Sequence, residues 1–331
     1  DQTLVPDGNI TLGGSGANRT INILPGSNQN GGPATITVSV FDGTDTTQTT
    51  FDVTVTAVND APVFDPSGLT TFNTITEDQI NNAGQTVASV IASVGGDRIT
   101  DVDSGDPEGI AIIAAAETNG TLEYSLNGGT NWNALDSVAT NNALLLRETD
   151  LIRFNPDGKN GGTSAISFHA WDQSSGTAGN KVDATTTGDS SAFSVGFEGV
   201  LITVTDVNDN PSGAGSLTTT SLNDNDGATN LFGGLSVTDV DTGEADLSLT
   251  ITLATPSAGT LSGGGFTETA PSTGIYTVSG LTTATADTAL DNVQFTPTDN
   301  TGPSGTFNTD MSVTANDQGG GGEQTVLAAT I

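Results

Sequence analysis

Four oxygen-bearing side chains crowd one short linker of this sequence. Asp206, Asn208, Asp209 and Asn210 fall within five positions, between an alternating Thr-Val-Thr segment and the chain-breaking Pro211. Carboxylates packed this densely repel one another unless a cation lies among them, and calcium is bound in proteins by carboxylate, amide and carbonyl oxygens. The linker therefore predicts a metal site at a joint between two domains.

A reduced copy of this joint occurs earlier in the chain. Residues 54–62 repeat the order Thr-Val-Thr-x-Val-Asn-Asp-x-Pro, with Asn59 and Asp60 in the central positions. Ala57 and Ala61 replace two of the oxygen donors. A linker that recurs indicates modules in series. The lost donors predict that the earlier joint binds fewer or weaker ions.

Composition excludes several classes of partner. The 331 residues include six Lys and Arg against 39 Asp and Glu, which gives a formal net charge of −33 at pH 7. The resulting negative potential would repel phosphate backbones and anionic membranes, so we expect neither nucleic acid nor direct membrane insertion. The absence of cysteine excludes disulfides and thiolate metal sites, and suits a secreted bacterial protein. We expect any export signal or anchor to lie outside this sequence.

Hydrophobic residues alternate with period two through much of the chain and predict an all-β fold of tandem Greek-key sandwiches arranged end to end. Gly109 and Asn119 limit the Ala-rich run between them, so a strand is favoured there over a short helix. The predicted strands are 9–13, 20–24, 34–41 and 49–58; then 85–93, 110–115, 120–125, 144–146, 151–155, 165–171 and 200–207; then 235–237, 247–255, 274–278, 293–296, 307–315 and 325–330.

Landmarks recurring in the same order divide the chain into three modules. Each has a proline before a Gly-rich loop and then a strand ending in an acid: Pro25 and Asp42, Pro156 and Asp172, and Pro297 and Asp317, with glycines at 302, 305 and 319 in the last copy. They predict that 1–59 is the C-terminal half of a domain, 60–208 a complete and enlarged domain, and 209–331 a third. Both ends are expected to be cuts in a longer array.

This ordered set of motifs resembles the cadherin repeats and the bacterial cadherin-like repeats of large calcium-dependent surface adhesins, the extender domains of RTX-type adhesins. That family combines a linker of the type Asp-x-Asn-Asp-Asn-x-Pro with an early Glu, an Asp-x-Asp pair and a late acid after Ala-x. The resemblance implies calcium ligands at Asn59, Asp60, Asp101, Asp103 and Asp172 in the earlier joint, and at Glu77, Asp206, Asn208, Asp209, Asn210, Asp239, Asp241 and Asp317 in the later one. The third module has 223–226, Asn-Asp-Asn-Asp, near the place of the early Glu.

The function that the resemblance implies is mechanical. We expect a non-enzymatic extender segment of an extracellular, cell-surface adhesin or filament, secreted by a bacterium, in which inter-domain calcium makes the array rigid for cell adhesion. The expected partners are calcium and neighbouring domains of the same chain, with other copies of the chain or a cell-surface glycan or protein as alternatives.

Two residues suggest other functions. Trp132, in a loop rich in Asn and Gly, could stack on a sugar in a sugar- or peptide-binding module, or it could follow a hairpin and cover the end of the core. His169 is the only histidine, but no accompanying nucleophile and orienting acid are identifiable, so no catalytic residue is predicted. Further acids are predicted to be solvated rim charge: Asp106, Glu108, Glu244 and Asp246.

Overall fold

The computed structural model describes residues 1–68, 70–103, 105, 107–241, 247–299, 309–317 and 324–330, without the side chains of Val94 and Thr330. The glycines at 302, 305 and 319, the first two residues of the strand predicted at 307–315, and the acids Asp106, Glu244 and Asp246 lie outside these residues. The chain divides into two compact units, unit 1 with 1–74, 81–155 and 163–203, and unit 2 with 75–80, 156–162 and 204–331.

Residues 1–59 of unit 1 form two antiparallel hairpins after a 3-10 turn at Asp7–Asn9. Their strands are β1 (Ile10–Ser15), β2 (Asn18–Ile23), β3 (Gly31–Phe41) and β4 (Thr46–Val55). In β3, Ala34 and Ile36 are buried with Leu4 and Val5, whereas the residues between them are exposed. All four predicted strands are confirmed. The predicted two-residue alternation of burial holds around Ala34 and Ile36 of β3, because a strand with one covered face buries every second side chain, whereas in β1 every residue after Ile10 is exposed.

Between residues 63 and 205 the chain adds twelve strands and one helix. They are β5 (Val63–Phe64), β6 (Ile75–Thr76), β7 (Gln85–Thr86), α1 (Val87–Ile91, followed by a 3-10 turn at Ala92–Val94), β8 (Ile99–Thr100), β9 (Gly109–Ala116), β10 (Gly120–Ser125), β11 (Asn133–Ala134), β12 (Ala143–Arg147), β13 (Leu151–Pro156), β14 (Gly162–Trp171), β15 (Lys181–Val182) and β16 (Phe193–Thr205). One sheet has the order β11-β10-β13-β7, another β15-β12-β9-β14-β16-β6, and β5 pairs with β8.

The centre of the six-stranded sheet is buried on both faces. In β12 the consecutive residues Ala143, Leu144, Leu145 and Leu146 are all 0% exposed. A run of buried apolar residues without alternation is typical of a strand covered on both sides. One of these faces, which includes Leu145 and Trp171, packs on the chain segment that follows Trp171, through Ala184, Ala192 and Phe193.

The strand predicted at 85–93 is wrong beyond Thr86, because α1 begins at Val87. The Thr86 hydroxyl oxygen accepts a hydrogen bond from the backbone N–H of Ser89 over 3.1 Å and so caps the helix. Val87, Val90 and Ile91 are buried at helical spacing. The Ala-rich run, by contrast, forms strand β9, as predicted.

In unit 2 a five-stranded sheet is covered by one helix and two strand pairs. The elements are β17 (Ser212–Gly215), β18 (Leu235–Thr238), β19 (Leu247–Leu253), a 3-10 turn (Pro256–Ala258), β20 (Gly259–Ser262), β21 (Thr267–Glu268), β22 (Ile275–Leu281), α2 (Thr283–Asn292), β23 (Gln294–Pro297), β24 (Asp310–Asn316) and β25 (Gln324–Thr330). The sheet order is β21-β22-β19-β24-β25, and the pairs are β17-β18 and β20-β23. Every second residue of β19 enters the core, from Leu247 to Leu253.

Helix α2 was not predicted from the sequence. Thr282 and Thr285 form a capping box at its start, and Ala286, Ala289 and Leu290 bury one side of it. It is the longer of the two α-helices that the described residues form, with ten residues. In the part of the chain that the structure describes, no helix is long and apolar enough to cross a membrane. The predicted all-β sandwich class is confirmed, while the three domain boundaries stay predictions.

Candidate metal centre

The linker at 206–209 meets three other segments of unit 2. Glu77 follows β6, which pairs in parallel with the end of β16 through Ile75 and Val204. Asp239 and Asp241 follow β18, and Asp317 follows β24. We call the following residues the Asp209 cluster: Glu77, Asp206, Asn208, Asp209, Asp239, Asp241 and Asp317.

Glu77 is the most enclosed acid of the Asp209 cluster, with 0% of its surface exposed. Its backbone N–H donates to the carbonyl oxygen of Thr205 over 3.2 Å, and its Oε1 accepts from the N–H of Val207 over 2.7 Å. Its other carboxylate oxygen, Oε2, is buried and has no hydrogen-bond partner among the described residues. A buried carboxylate oxygen without a partner is costly unless a cation or proton satisfies it.

Asp209 and Asp241 place two more such oxygens nearby. The N–H of Asp209 donates to Oδ2 of Asp241 over 2.7 Å, and the N–H of Asp241 donates to Oδ1 of Asp239 over 3.1 Å. Oδ2 of Asp209 and Oδ1 of Asp241 are buried without a hydrogen-bond partner in the described part of the chain. One carboxylate oxygen from each of Glu77, Asp209 and Asp241 lies within 4.8 Å of the other two. These residues therefore fit a cation.

Burial and mutual repulsion shift the pKa values of this group upward. Burial raises the pKa of Glu77 to about 7, with further upward contributions from Asp206 and Asp241. Burial also raises the pKa values of Asp209 and Asp241, and the charges of Asp239 and Asp206 add to both shifts. The three carboxylates are thus costly to ionise together without a counter-charge, which a divalent cation would supply.

The remaining members of the cluster hold the linker in place. The backbone N–H of Gly161 donates to Oδ1 of Asp206 over 2.6 Å. Nδ2 of Asn208 donates to Oδ2 of Asp317 over 2.7 Å and to the carbonyl oxygen of Asp209 over 3.2 Å. Asp317 is 2% exposed, whereas Asn210, at the end of the linker, is exposed.

The earlier joint has the same arrangement within unit 1. We call Asn59, Asp60, Asp101, Asp103 and Asp172 the Asp60 cluster. Nδ2 of Asn59 donates to Oδ2 of Asp172 over 2.9 Å and to the carbonyl oxygen of Asp60 over 3.1 Å. The N–H of Asp60 donates to Oδ2 of Asp103 over 2.7 Å, and the N–H of Asp103 donates to Oδ1 of Asp101 over 2.9 Å.

The two clusters therefore share four hydrogen bonds, position for position, but differ in their acids. Ala57 stands in the linker where the later joint has Asp206. Among the residues that the structure describes, Glu77, Asp209 and Asp241 are the one group of three potential metal-binding side chains with ligand atoms this close. The Asp60 cluster thus has the framework of the later site with fewer carboxylates gathered in it.

A negatively charged cleft of ≈ 370 Å³ opens beside the Asp60 cluster. The acids that line it are Asp97, Asp101, Asp103, Glu108 and Asp172. Burial, together with the charges of Asp97 and Glu148, raises the pKa of Glu108. Glu108 is therefore partly enclosed within this acidic surface rather than fully solvated as predicted. Clefts lined by one sign of charge raise the local concentration of counter-ions.

Gly161 contributes to the Asp209 cluster, and this role was not predicted from the sequence. A Cβ at Gly161 would lie 2.5 Å from the backbone nitrogen of Asp206, so a larger residue does not fit against the linker. The sequence signal for this position is the Gly-rich loop that follows Pro156. The segment 223–226, placed near the early Glu by sequence, instead forms a turn in which Asn223 and Asp226 bind each other.

The two residues that suggested other functions have structural partners. The guanidinium of Arg153 stacks on the Trp132 ring 4.1 Å from its centroid, and Arg153 also pairs with Glu123 over 2.6 Å. One face of the Trp132 ring is therefore covered. His169 is 6% exposed, with Nδ1 3.1 Å from the carbonyl oxygen of Gly196.

Comparison with known proteins gives low similarities. No protein-family model matches the chain, and no curated protein matches it. Among solved structures, human CDH23 EC21-23 is 16% identical over 82% of this chain and 67% of that one, with a TM-score of 0.38. Mouse Protocadherin-24 EC1-3 is 13% identical over 98% and 85%, with a TM-score of 0.39. An endo-fucoidan hydrolase from glycoside hydrolase family 107, MfFcnA4, is 13% identical over 97% and 36%, with a TM-score of 0.24.

Proposed function

We propose that this chain is a non-enzymatic, calcium-binding structural segment of an extracellular adhesin or filament. The observation that carries the proposal is a set of three buried oxygens: Oε2 of Glu77, Oδ2 of Asp209 and Oδ1 of Asp241. Each has no hydrogen-bond partner among the described residues, and their carboxylates lie within metal-binding distance of one another. A cation bound among them would satisfy all three.

The chemistry of the donors favours calcium over other metals. Calcium takes six to eight oxygen ligands at about 2.3–2.6 Å in a flexible geometry, whereas magnesium needs near-octahedral geometry and retains several waters. Zinc prefers nitrogen and sulfur ligands. The chain has no cysteine, and its single histidine, His169, lies in strand β14.

Calcium would act here by holding the linker in place. Glu77 comes from the residues after β6, Asp209 from the linker itself, and Asp241 from the loop after β18, so one ion would fasten three segments that are distant in sequence. It would also replace carboxylate repulsion by attraction. The linker at 206–209 would then be stiff with calcium and compliant without it.

An extracellular location suits both the ion and the composition. Extracellular calcium-binding modules work with dissociation constants of about 10⁻⁴–10⁻³ M, which matches sites built from a few acids on loops. A net charge of −33 favours solubility, and bound divalent cations would relieve part of its self-repulsion. The Asp60 cluster, with fewer carboxylates, is proposed as the weaker site.

Calorimetric titration of the metal-free chain with calcium tests this proposal. We expect binding at the Asp209 cluster, a rise in the unfolding temperature and a longer, narrower distribution of dimensions in small-angle scattering. Asp241→Asn should abolish the tighter binding phase. Asp183→Asn is the matched control. Asp183 is exposed, and in the described part of the chain its side chain accepts hydrogen bonds only from Thr185. Unchanged heat, stability and scattering on adding calcium would refute the proposal.

A further inference from the structure

An apolar ridge runs along the outer face of strand β16. From Phe197 to Thr205 the residues of this strand alternate between exposure and burial. Val195, Phe197 and Leu201 are 71%, 60% and 60% exposed, whereas Val200 and Ile202 are 0% and 1% exposed. Isolated exposed apolar residues are ordinary, but three large ones on one face of one strand form a contiguous feature.

Small residues lie next to this ridge on strand β14. The ring of Phe197 contacts that of His169, with centroids 5.9 Å apart. A Cβ at Gly199 would lie 3.5 Å from Oγ of Ser167. These two contacts define an antiparallel register in which Leu201 lies beside Ala165.

The small residues continue onto strand β9. Ala165 is opposite Ala116 in the β14–β9 ladder, and Ser167 is opposite Ala114. Directly opposed residues project from the same face of a sheet. The end of the ridge at Leu201 is therefore bordered by a shallow trough of four small residues, which we call the trough: Ala114, Ala116, Ala165 and Ser167.

Another part of this sheet face is covered by the chain itself. Phe193, two residues before the ridge begins, is buried together with Trp171, Ala184 and Ala192. The ridge thus continues an apolar core beyond the segment that covers it. The segment 173–192 leaves Val195, Phe197 and Leu201 exposed.

Charge also sets this face apart. None of the three ridge residues and none of the four trough residues carries a charge, in a chain with a net charge of −33. Two copies of so acidic a chain repel each other in most relative orientations, and like-charge contacts across an interface are unfavourable. A neutral face is where two copies can approach.

We propose that the ridge and trough form a contact between two copies of this chain, with the ridge of each copy packed into the trough of the other. Large residues beside small ones on one face are self-complementary under a two-fold axis, because the rotation brings each ridge over the partner's trough. The inference is independent of calcium binding. The face has a length of about 20 Å from 195 to 201 and a width of about three strands, or roughly 14 Å.

A face of this size gives a weak dimer. It is smaller than the roughly 800 Å² per partner of standard stable interfaces. We therefore expect association at high protein concentration, and stronger association when several such faces are carried on one long chain.

Sedimentation equilibrium of the full chain, from about 10 µM to about 500 µM protein in buffered salt, tests the contact. We expect a reversible monomer–dimer equilibrium, and Phe197→Glu should weaken it by at least about tenfold because it would bury an unpaired charge. Leu12→Glu is the matched control, because Leu12 is 78% exposed in hairpin β1-β2 and lies outside the face. A wild-type chain that stays monomeric throughout, or a Phe197→Glu chain that dimerises as well as the control, overturns the proposal.

A charge-pair experiment tests the ridge-in-trough geometry. Phe197→Lys and Ala165→Glu should each prevent self-association, because each homodimer would hold two unpaired charges. Their equimolar mixture should form a heterodimer with one new ion pair and one native contact. Circular dichroism confirms that each variant is folded, and calcium titration confirms that its metal binding is unchanged. A mixture that remains monomeric contradicts the geometry, whereas failure of calcium binding alone leaves it intact.

Discussion

The backbone N–H of Asp209 donates a hydrogen bond to Oδ2 of Asp241 over 2.7 Å, and Asp60 makes the equivalent bond to Asp103 over the same distance. Each bond uses one carboxylate oxygen to fix the acid against the linker. In the later cluster the second oxygen of Asp241 remains buried without a hydrogen-bond partner among the described residues. The fold thus holds the carboxylate of Asp241 in one orientation, which would lower the ordering cost of binding a cation.

Asp206→Ala should make the later joint resemble the earlier one. Asp206 is the acid that Ala57 replaces, and its loss removes one negative charge next to Glu77. Ligand charge count tunes calcium affinity, so we expect roughly tenfold weaker binding at the Asp209 cluster, about 1.4 kcal/mol. Calorimetry on chains that also carry Asp103→Asn, which disables the Asp60 cluster, measures the change in affinity at the Asp209 cluster directly. An unaltered dissociation constant would show that Asp206 is no part of the site.

Without metal, stability should fall as pH rises from about 5 to 8. The pKa of Glu77 is raised to about 7 in the folded chain from an ordinary value near 4.5, chiefly by burial. Its contribution to stability is therefore fully present below the lower value and is lost as pH rises through the higher one. Calcium requires the ionised carboxylate, so its affinity should rise over the same range.

Thermal unfolding in a chelator at a series of pH values measures this effect. Glu77→Gln removes the titrating group and should flatten the decline, which separates it from the general repulsion of a polyanion. Equal slopes for the wild-type chain and the Gln variant would exclude Glu77 as the origin.

Gly161→Ala should weaken calcium binding without touching a ligand. The added Cβ would meet the backbone of Asp206 at 2.5 Å, so the linker or the loop before β14 must shift. Gly8→Ala is the control, because nothing lies within 4 Å of a Cβ there. We expect a lower calcium affinity in titration for the first variant and wild-type binding for the second. If both bind alike, the close approach at Gly161 has no part in shaping the site.

Removing Arg98 should destabilise unit 1. Arg98 and Glu198 are 5% and 6% exposed and lie 3.8 Å apart, and the N–H of Thr70 donates to Glu198 over 2.8 Å. Arg98→Met would leave a buried carboxylate without its partner, at a cost of about 3–5 kcal/mol. Urea unfolding measures this cost, with exposed Arg19→Met as a control expected to stay within about 0.5 kcal/mol of wild type.

The double variant Arg98→Met, Glu198→Met decides whether charge is the cause. It should cost less than the sum of the two single changes, because neither charge is left alone. Strictly additive losses would point to packing instead.

Trp132→Ala should affect stability rather than recognition. Its ring stacks on Arg153 and packs over Gly84. Loss of the stacking and of the covering ring is expected to cost about 1–3 kcal/mol in urea unfolding. A glycan array should give the same signal for the variant as for the wild-type chain. A wild-type signal that disappears in the variant would instead support the sugar-binding alternative.

The sequence was most informative where short motifs recur. The pairs Asn59-Asp60 and Asn208-Asp209 stand out because the same residue order appears twice, and the structure gives both the same hydrogen bonds. The place of Glu77 could not be derived from spacing, since it depends on the parallel pairing of β6 with β16. Only the family resemblance suggested it.

The helices and the buried ion pair show why other features were not predicted. Segments rich in Thr and Val favour strands, whereas Ala favours helices, so a mixture of them predicts neither element. The caps at Thr86 and Thr282, which mark where the helices begin, depend on a few local hydrogen bonds. Arg98 and Glu198 are distant in sequence, and nothing in their local sequence distinguishes them from surface charges.

The order in which the ligands occur along the chain has a consequence for assembly. Glu77 is synthesised long before Asp241. Asp241 can approach the linker only once strand β18 and the loop after it have folded. Pairing of groups so distant in sequence is slow, because a large loop must close first. A chain emerging residue by residue would therefore pass through a stage in which its early acids are in place but cannot hold the ion. Calcium would then act late, as the step that locks a finished fold.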